Sequence, residues 1–301
     1  MASEDLLDIH VERRETMEFP LTTPSNYYIV RYGDEKILVD AGARKLDKSL
    51  GEEVAAVILT HWHWDHTYGI TGLEEPVICT GPETGEILSS LDTIVSNVYK
   101  PLEAMGLKVE ELGGPVGHFF NMIKNLYSEI VEAYNSGKKH GITNCPGIRT
   151  VEAFPCPGHN DDHQCIRLGN YIFVGDNVTI GESPTTINYR DYLVTIHKIL
   201  ASEWQYLAPG HGRIMERPVM LEYFNNVVDR KNRKMIKVLS LVSKGVGDFN
   251  KLLKQVYGVD PVPQSYVQAR TLIGYLRLLE DYGVIEIDYD KGPWRVNYMG
   301  E

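Results

Sequence analysis

Polar and apolar positions change period three times along the chain. Strand-length apolar runs occupy residues 9–15, 26–32, 36–40, 54–59 and 76–80, with Tyr32-Gly33-Asp34-Glu35 as a turn between the second and third. From residue 83 to 139 the spacing turns helical. Ile87, Leu88, Leu91, Ile94, Val95 and Val98 form one amphipathic set, and Phe119, Phe120, Ile123, Tyr127, Ile130, Val131 and Tyr134 a second, with Gly106, Gly113, Gly114 and Gly117 between them. This stretch reads as a helical insertion that is either a lid whose aromatics line a pocket or a hairpin buried on the core or a partner. Strand patterns return at 148–154, 171–174 and 206–208, with a helix over 190–200. Beyond Arg217-Pro218 the order is helix 219–242, helix 249–257 capped by Asp248, helix 265–282 behind Val262-Pro263, then strands 284–289 and 294–298. Helices followed by a β-hairpin are the order of a winged helix. The chain therefore divides into residues 1–218 and a small winged-helix-like domain at 219–301.

Composition narrows the class. At 301 residues, 43% apolar and 24% charged, the chain is an ordinary globular protein with room for one large core plus a small domain. No apolar run approaches the roughly 18 residues that span a bilayer, and Met1-Ala2-Ser3-Glu4-Asp5 does not read as a signal peptide, so no membrane association and a cytoplasmic location are expected. Cys79, Cys145, Cys156 and Cys165 form no C-x-x-C pair and are expected reduced and buried. The net charge of -11 is uneven: +2 over residues 219–301 and -13 over the rest. An acidic first part disfavours nonspecific nucleic-acid binding, while the tail does not repel phosphates.

The chemistry starts at His61-Trp62-His63-Trp64-Asp65-His66, directly after the apolar run 54–59 and Thr60. Three imidazoles and a carboxylate at a strand mouth suit a metal, and simple alternation would send His61, His63 and Asp65 one way. Further candidates stand at turns or strand ends: His159 in Cys156-Pro157-Gly158-His159, Asp176 after Gly175, and His211 between Gly210 and Gly212. This inventory fits a two-metal hydrolytic site, with His61, His63 and His159 on one ion, Asp65, His66 and His211 on the other, and Asp176 bridging. Asp40, at a strand end before Gly42, suits a hydrogen bond to the metal loop. His163, with Asp161 and Asp162, is not needed as a ligand; it has either a supporting or substrate-contacting role or a place in a turn. Two divalent ions are expected, zinc first, with manganese or iron also compatible.

The same residues resemble the metallo-β-lactamase superfamily, whose first motif T-H-x-H-x-D-H is here Thr60-His61-Trp62-His63-Trp64-Asp65-His66, with Pro157-Gly158-His159, Gly175-Asp176 and Pro209-Gly210-His211-Gly212 following in the family's order. The resemblance implies an α/β fold, an αββα sandwich with metals at the edge of two packed sheets. The Thr60–His63 segment, Gly158-His159-Asn160-Asp161-Asp162-His163 and Gly181-Glu182-Ser183-Pro184-Thr185-Thr186 look like the lactamase-beta-2-like branch, which carries a C-terminal winged-helix-like domain. Trp64 and the length of the 83–139 stretch depart from the pattern.

The implied activity is a metal-dependent hydrolase in which a metal-bridged hydroxide attacks an ester, thioester or lactone-type acyl bond, with Asp65 holding the second metal and orienting the nucleophile. Tyr189, Tyr192 or His163 are candidate donors to the leaving group. A small-molecule acyl substrate is expected and a homo-oligomer is compatible. Two alternatives stand beside this. A single-stranded RNA endoribonuclease would use Arg230, Lys231, Arg233, Lys234 and Lys237. A DNA-binding regulator would read DNA through the third helix of the tail, whose basic residues are only Arg270 and Arg277.

Overall fold

The computed structural model describes residues 9–16, 24–148, 150–179, 184–290 and 292–300. The start of the chain and Gly181-Glu182-Ser183 of the branch motif lie outside these. A six-stranded sheet runs in the order β1 (Ile9–Thr16), β2 (Ser25–Tyr32), β3 (Glu35–Val39), β4 (Ala56–Ile58), β5 (Val77–Thr80), β6 (Lys138–Gly141), antiparallel as far as β3 and parallel beyond it. A five-stranded sheet holds β7 (Glu152–Pro155), β8 (Gln164–Leu168), β9 (Tyr171–Thr179), β10 (Tyr206–His211) and β11 (Met215–Glu216), with β9 and β10 parallel.

Alternate residues build the layers. Tyr28, Val30, Ile37, Val39 and Ile58 of the first sheet meet Ile166, Phe173 and Ala208 of the second in one apolar cluster. Their neighbours Ile29, Leu38, Val57, Ile172, Val174 and Leu207 face the opposite way, into a larger cluster shared with the helices. A period of two on strands buried on both faces therefore produces the sandwich.

The helices are α1 (Lys48–Glu53), α2 (Trp64–Thr67), α3 (Pro82–Leu88), α4 (Leu91–Ala104), α5 (Gly114–Ser136), α6 (Tyr189–Ala201), α7 (Arg217–Val242), α8 (Phe249–Tyr257) and α9 (Tyr266–Asp281). The insertion is α3 to α5, three helices where the spacing suggests two sets. It buries Leu88, Ile94, Leu102, Phe120, Tyr127 and Ile130 in the larger core cluster. After α9 the chain closes with a hairpin, β12 (Ile285–Asp288) and β13 (Arg295–Tyr298). Leu272, Tyr275 and Leu276 of α9 join that same cluster, so the tail packs continuously with the rest. Ala269 through Leu276, Leu278 and Leu279 of α9 are buried. A helix covered in this way cannot enter a DNA groove, which removes the physical basis for a DNA reader here.

The cysteines correct the sequence expectation. Cys79 pairs with Cys145, and Cys156 with Cys165, and no free cysteine remains. Spacing could not show it: β5 and the segment after β6 bring together residues 66 apart, while the β7–β8 ladder brings together residues 9 apart. Disulfides are at home in oxidising compartments, so they lend no weight to the cytoplasmic expectation. No helix among the described residues is long and apolar enough to cross a membrane.

Candidate metal centre

Simple alternation along His61–His66 fails after His63, because Trp64–Thr67 turns helical as α2. The turn splits the motif. His61 and His63 gather with His159 and Asp176, while Asp65 and His66 gather with Asp176 and His211; in each group one ligand atom per residue lies within 4.8 Å of the others. Asp176 belongs to both. Its Oδ1 stands 3.0 Å from His66 Nε2 and 3.2 Å from His211 Nε2, and its Oδ2 stands 3.5 Å from His159 Nε2 and 3.9 Å from His61 Nε2. All seven residues named from the sequence thus converge.

The far side of each ring fixes its tautomer. His66 Nδ1 donates to Asp40 Oδ2 (2.9 Å), His159 Nδ1 to the Thr185 carbonyl (3.0 Å) and His211 Nδ1 to the Pro24 carbonyl (2.8 Å). Thr60 Oγ1 donates to Asp40 Oδ2 and so accepts from His61 Nδ1 at 3.0 Å. Each of these rings consequently turns Nε2 toward the cluster. His63 is reversed: its Nδ1 is 3.0 Å from His159 Nε2, and its Nε2 meets Asn160 and Arg270.

Asp40 organises this support. It holds the left-handed conformation (φ 58°) that a side chain rarely adopts, and it accepts from the Thr60 amide, the Thr60 hydroxyl and His66. Gly210 is required by space rather than by turning: a Cβ there would lie 2.1 Å from Asp176 Oδ1.

Electrostatics separate the two groups. Burial, with neighbouring positive rings, pushes His61 well below its usual value. Burial and Arg270 do the same to His63, and burial takes His159 down to about 4. For His66 and His211 burial is outweighed by carboxylates. Asp176, Asp65 and Asp40 hold His66 well above its usual value, and Asp176 with Asp65 pushes His211 up to about 10. Asp65 and Asp176 are held low despite burial, by His66 and His211. His61 Nε2 is buried without a hydrogen-bond partner, and the ring nitrogens of His66 and His211 crowd one oxygen of Asp176. Nitrogens and carboxylate oxygens converging in this way are what divalent cations would satisfy once the rings give up their protons, so the residues fit a metal.

Other candidates resolve differently. His163 is sealed beneath the site, stacked on His61 at 4.6 Å and accepting from the Asp176 amide at 3.2 Å, out of substrate reach. Tyr189 and Tyr192 are core residues. The Tyr189 hydroxyl donates to Asn232 Oδ1 and that of Tyr192 to the Asn177 carbonyl, so neither serves a leaving group. Lys231 of the basic set on α7 is buried on the Pro184 carbonyl and Thr186. The site gains residues that the sequence did not connect with it: Tyr127 of the insertion, whose hydroxyl accepts from the Trp64 amide at 3.3 Å, and Arg270 of α9. Asn160 was visible inside the motif, but its contact with His63 was not.

A sequence profile of the metallo-beta-lactamase superfamily matches residues 21–211, and the chain belongs to that superfamily. Its fold and metal-type site make it a hydrolase of that class. Among curated relatives, the lactamase-like protein adaB of Aspergillus niger is 26% identical over 274 residues, covering 82% of this chain and 71% of its own. The atrochrysone carboxyl ACP thioesterase of Aspergillus fumigatus is 28% identical over 258 residues, covering 78% and 68%. A metallo-beta-lactamase family protein from Thermus thermophilus shares the fold at a TM-score of 0.65 and 14% identity, over 96% of this chain and 98% of that one.

Proposed function

We propose that the protein is a dinuclear metal-dependent hydrolase of acyl bonds, with thioesters first among its substrates. The observation that carries this reading is the shared carboxylate: Asp176 presents one oxygen to each of two histidine-containing groups. His61, His63 and His159 would hold one ion and Asp65, His66 and His211 the other, with Asp176 between them. Zinc suits the nitrogen-rich set best. Divalent metals, when bound here, supply the Lewis acidity that makes water nucleophilic at neutral pH.

The chain's own residues do the rest. Asp65 is the most exposed of the seven, at 19% for its side chain, and faces both His66 and His211. It is placed to take and direct the proton of an attacking water. Asp40 and Thr60 keep His61 and His66 turned inward. Trp62 and Tyr127, buried in contact at 5.5 Å between ring centres, exclude bulk water from one side.

Preference for a thioester over other acyl bonds follows the relative named as an acyl-carrier thioesterase. We further read residues 219–301 as a unit that walls the substrate, because α9 reaches the metal ligands. The basic residues of α7 give RNA cleavage weaker support than their sequence suggests: Lys231 is buried and Arg233 pairs with Asp229 at 2.7 Å, which leaves Arg230, Lys234 and Lys237 exposed and, among the described residues, without such a pairing partner to carry it. The test is a panel of thioester, lactone, phosphodiester and single-stranded RNA substrates, with metal-stripped protein as control. Metal-dependent thioester hydrolysis is expected; cleavage of RNA alone would overturn the reading.

A further inference from the structure

Arg270 brings a cation to a place where the hydrolytic reading needs none. It comes from α9 and is 8% exposed. Its Nη1 stands 3.0 Å from His63 Nε2, its Nη2 donates to Asn160 Oδ1, and the His159 carbonyl is 3.4 Å away. These partners are all neutral. Neither carboxylate nearby pairs with it: Asp161 faces Arg277 at 3.2 Å, and Asp162 accepts from the Trp62 amide and Thr84 through Oδ2 while its Oδ1 is buried without a partner, burial raising the group to about 7. A guanidinium does not shed its proton, and a buried charge left uncompensated is costly.

The contact with His63 is conditional. When His63 ligates through Nδ1, its ring hydrogen stands on Nε2, and Arg270 Nη1 and Asn160 Nδ2 then both face an N–H. Turning the Asn160 amide would present its oxygen to that hydrogen and withdraw it from Arg270. The guanidinium is then left with the His159 carbonyl and the Tyr266 ring 5.9 Å away, neither of which carries a negative charge to match it, and with the cavity it borders. That cavity, ≈ 80 Å³, is lined by Trp62, Asn160, Ile187 and Ile273, with the cations Lys100 and Arg277 and the carboxylates Asp161 and Asp162 also on its wall, and has room for several water-sized groups.

We propose that Arg270 determines specificity by binding a carboxylate on the acyl part of the substrate, so that the enzyme takes monothioesters of dicarboxylic acids. This rests on the acyl-hydrolase reading. Arg270 is one imidazole ring from the ligand cluster, a separation suited to the two ends of a short dicarboxylic acid; phosphates of a carrier thiol would lie much farther off. Trp62, Ile187 and Ile273 offer apolar contact to the methylenes between the two acyl ends. A paired, desolvated carboxylate is a strong discriminator, because an analogue lacking it leaves the cation unmatched.

The test begins with calorimetry of glutarate and butyrate on metal-loaded wild type, Arg270→Ala and Arg270→Lys, with the metal content of each determined. Each acid offers one carboxylate to the metals, so only the second carboxylate of glutarate reports Arg270. Glutarate should bind about tenfold or more tighter than butyrate to wild type, the gap should collapse in Arg270→Ala, and Arg270→Lys should restore part of it. If Arg270→Ala does not load metal, the wild type and Arg270→Lys decide. Equal affinities in wild type, or an undiminished gap in a fully loaded variant, overturn the proposal. Succinyl- and butyryl-N-acetylcysteamine then report hydrolysis, the preference falling in KM rather than kcat. Hydrolysis of both at equal KM overturns the Arg270 assignment and keeps the acyl reading; selective glutarate binding with neither thioester cleaved does the reverse. An Arg270-dependent preference for butyryl-coenzyme A over butyryl-N-acetylcysteamine would assign the cation to phosphate and overturn the carboxylate.

Discussion

Asp40 Oδ2 and His66 Nδ1 lie 2.9 Å apart, joined by a hydrogen bond that spans 26 residues of chain. The same carboxylate binds the amide and hydroxyl of Thr60, so one side chain orients two of the histidines. Asp40→Ala should weaken metal binding roughly 10–100-fold, measured by competition with a chromophoric chelator. Unchanged affinity would remove Asp40 from the site.

Metal loading should release protons. His211 is pushed up to about 10 by Asp176 and Asp65, so it is protonated near pH 8 and must lose a proton to ligate, and His66 is shifted in the same direction by Asp176, Asp65 and Asp40. His61, His63 and His159 are pushed down and are already neutral there. Titrating zinc into metal-stripped protein in weak buffer with an indicator should show acidification, and affinity should fall as pH falls. Absence of proton release at pH 8 would contradict these electrostatics.

Lys231 supplies a pH test away from the metals. It is buried against the Pro184 carbonyl, Thr186 and the Tyr192 ring, and desolvation lowers it from 10.5 to about 7. The folded state therefore gives up a proton that the unfolded state keeps between about pH 7 and 10.5. The cost of burial is full below pH 7 and fades toward 10.5. The melting temperature of wild type relative to Lys231→Met should rise across that interval, and a flat difference would show that the lysine is not desolvated.

The Cys79–Cys145 bond closes a loop of 66 residues. Chain-entropy arguments put the stabilisation from such a closure at about 4 kcal/mol, so reduction should lower the denaturation midpoint measurably. Thiol titration of denatured protein should find no free thiols before reduction and four after it. Four thiols without reductant would restore the expectation of reduced cysteines.

Local pattern carried most of the site. The ligands stand in short polar segments beside apolar runs, and the tautomer-fixing partner Asp40 was readable from its strand end. Three things were not legible, because each depends on the folded backbone rather than on residue spacing. The cysteine pairs depend on the strand ladder, the helical turn at Trp64 redirects Asp65 and His66, and Arg270 reaches His63 across 207 residues. Tyr189 and Tyr192 misled because a tyrosine at helical spacing looks alike whether its hydroxyl meets substrate or a carbonyl in the core. The order of helices and hairpin in the tail was readable, but the burial of α9 was not, since its apolar residues could equally have faced a partner.

The most direct measurement is the metal content of the purified protein by elemental analysis, alongside Asp176→Ala. Two equivalents per chain in wild type, with loss of both metal and thioester hydrolysis in the variant, are the predicted result. One equivalent in fully active wild type, or an Asp176→Ala protein that keeps two, would contradict the shared-carboxylate centre.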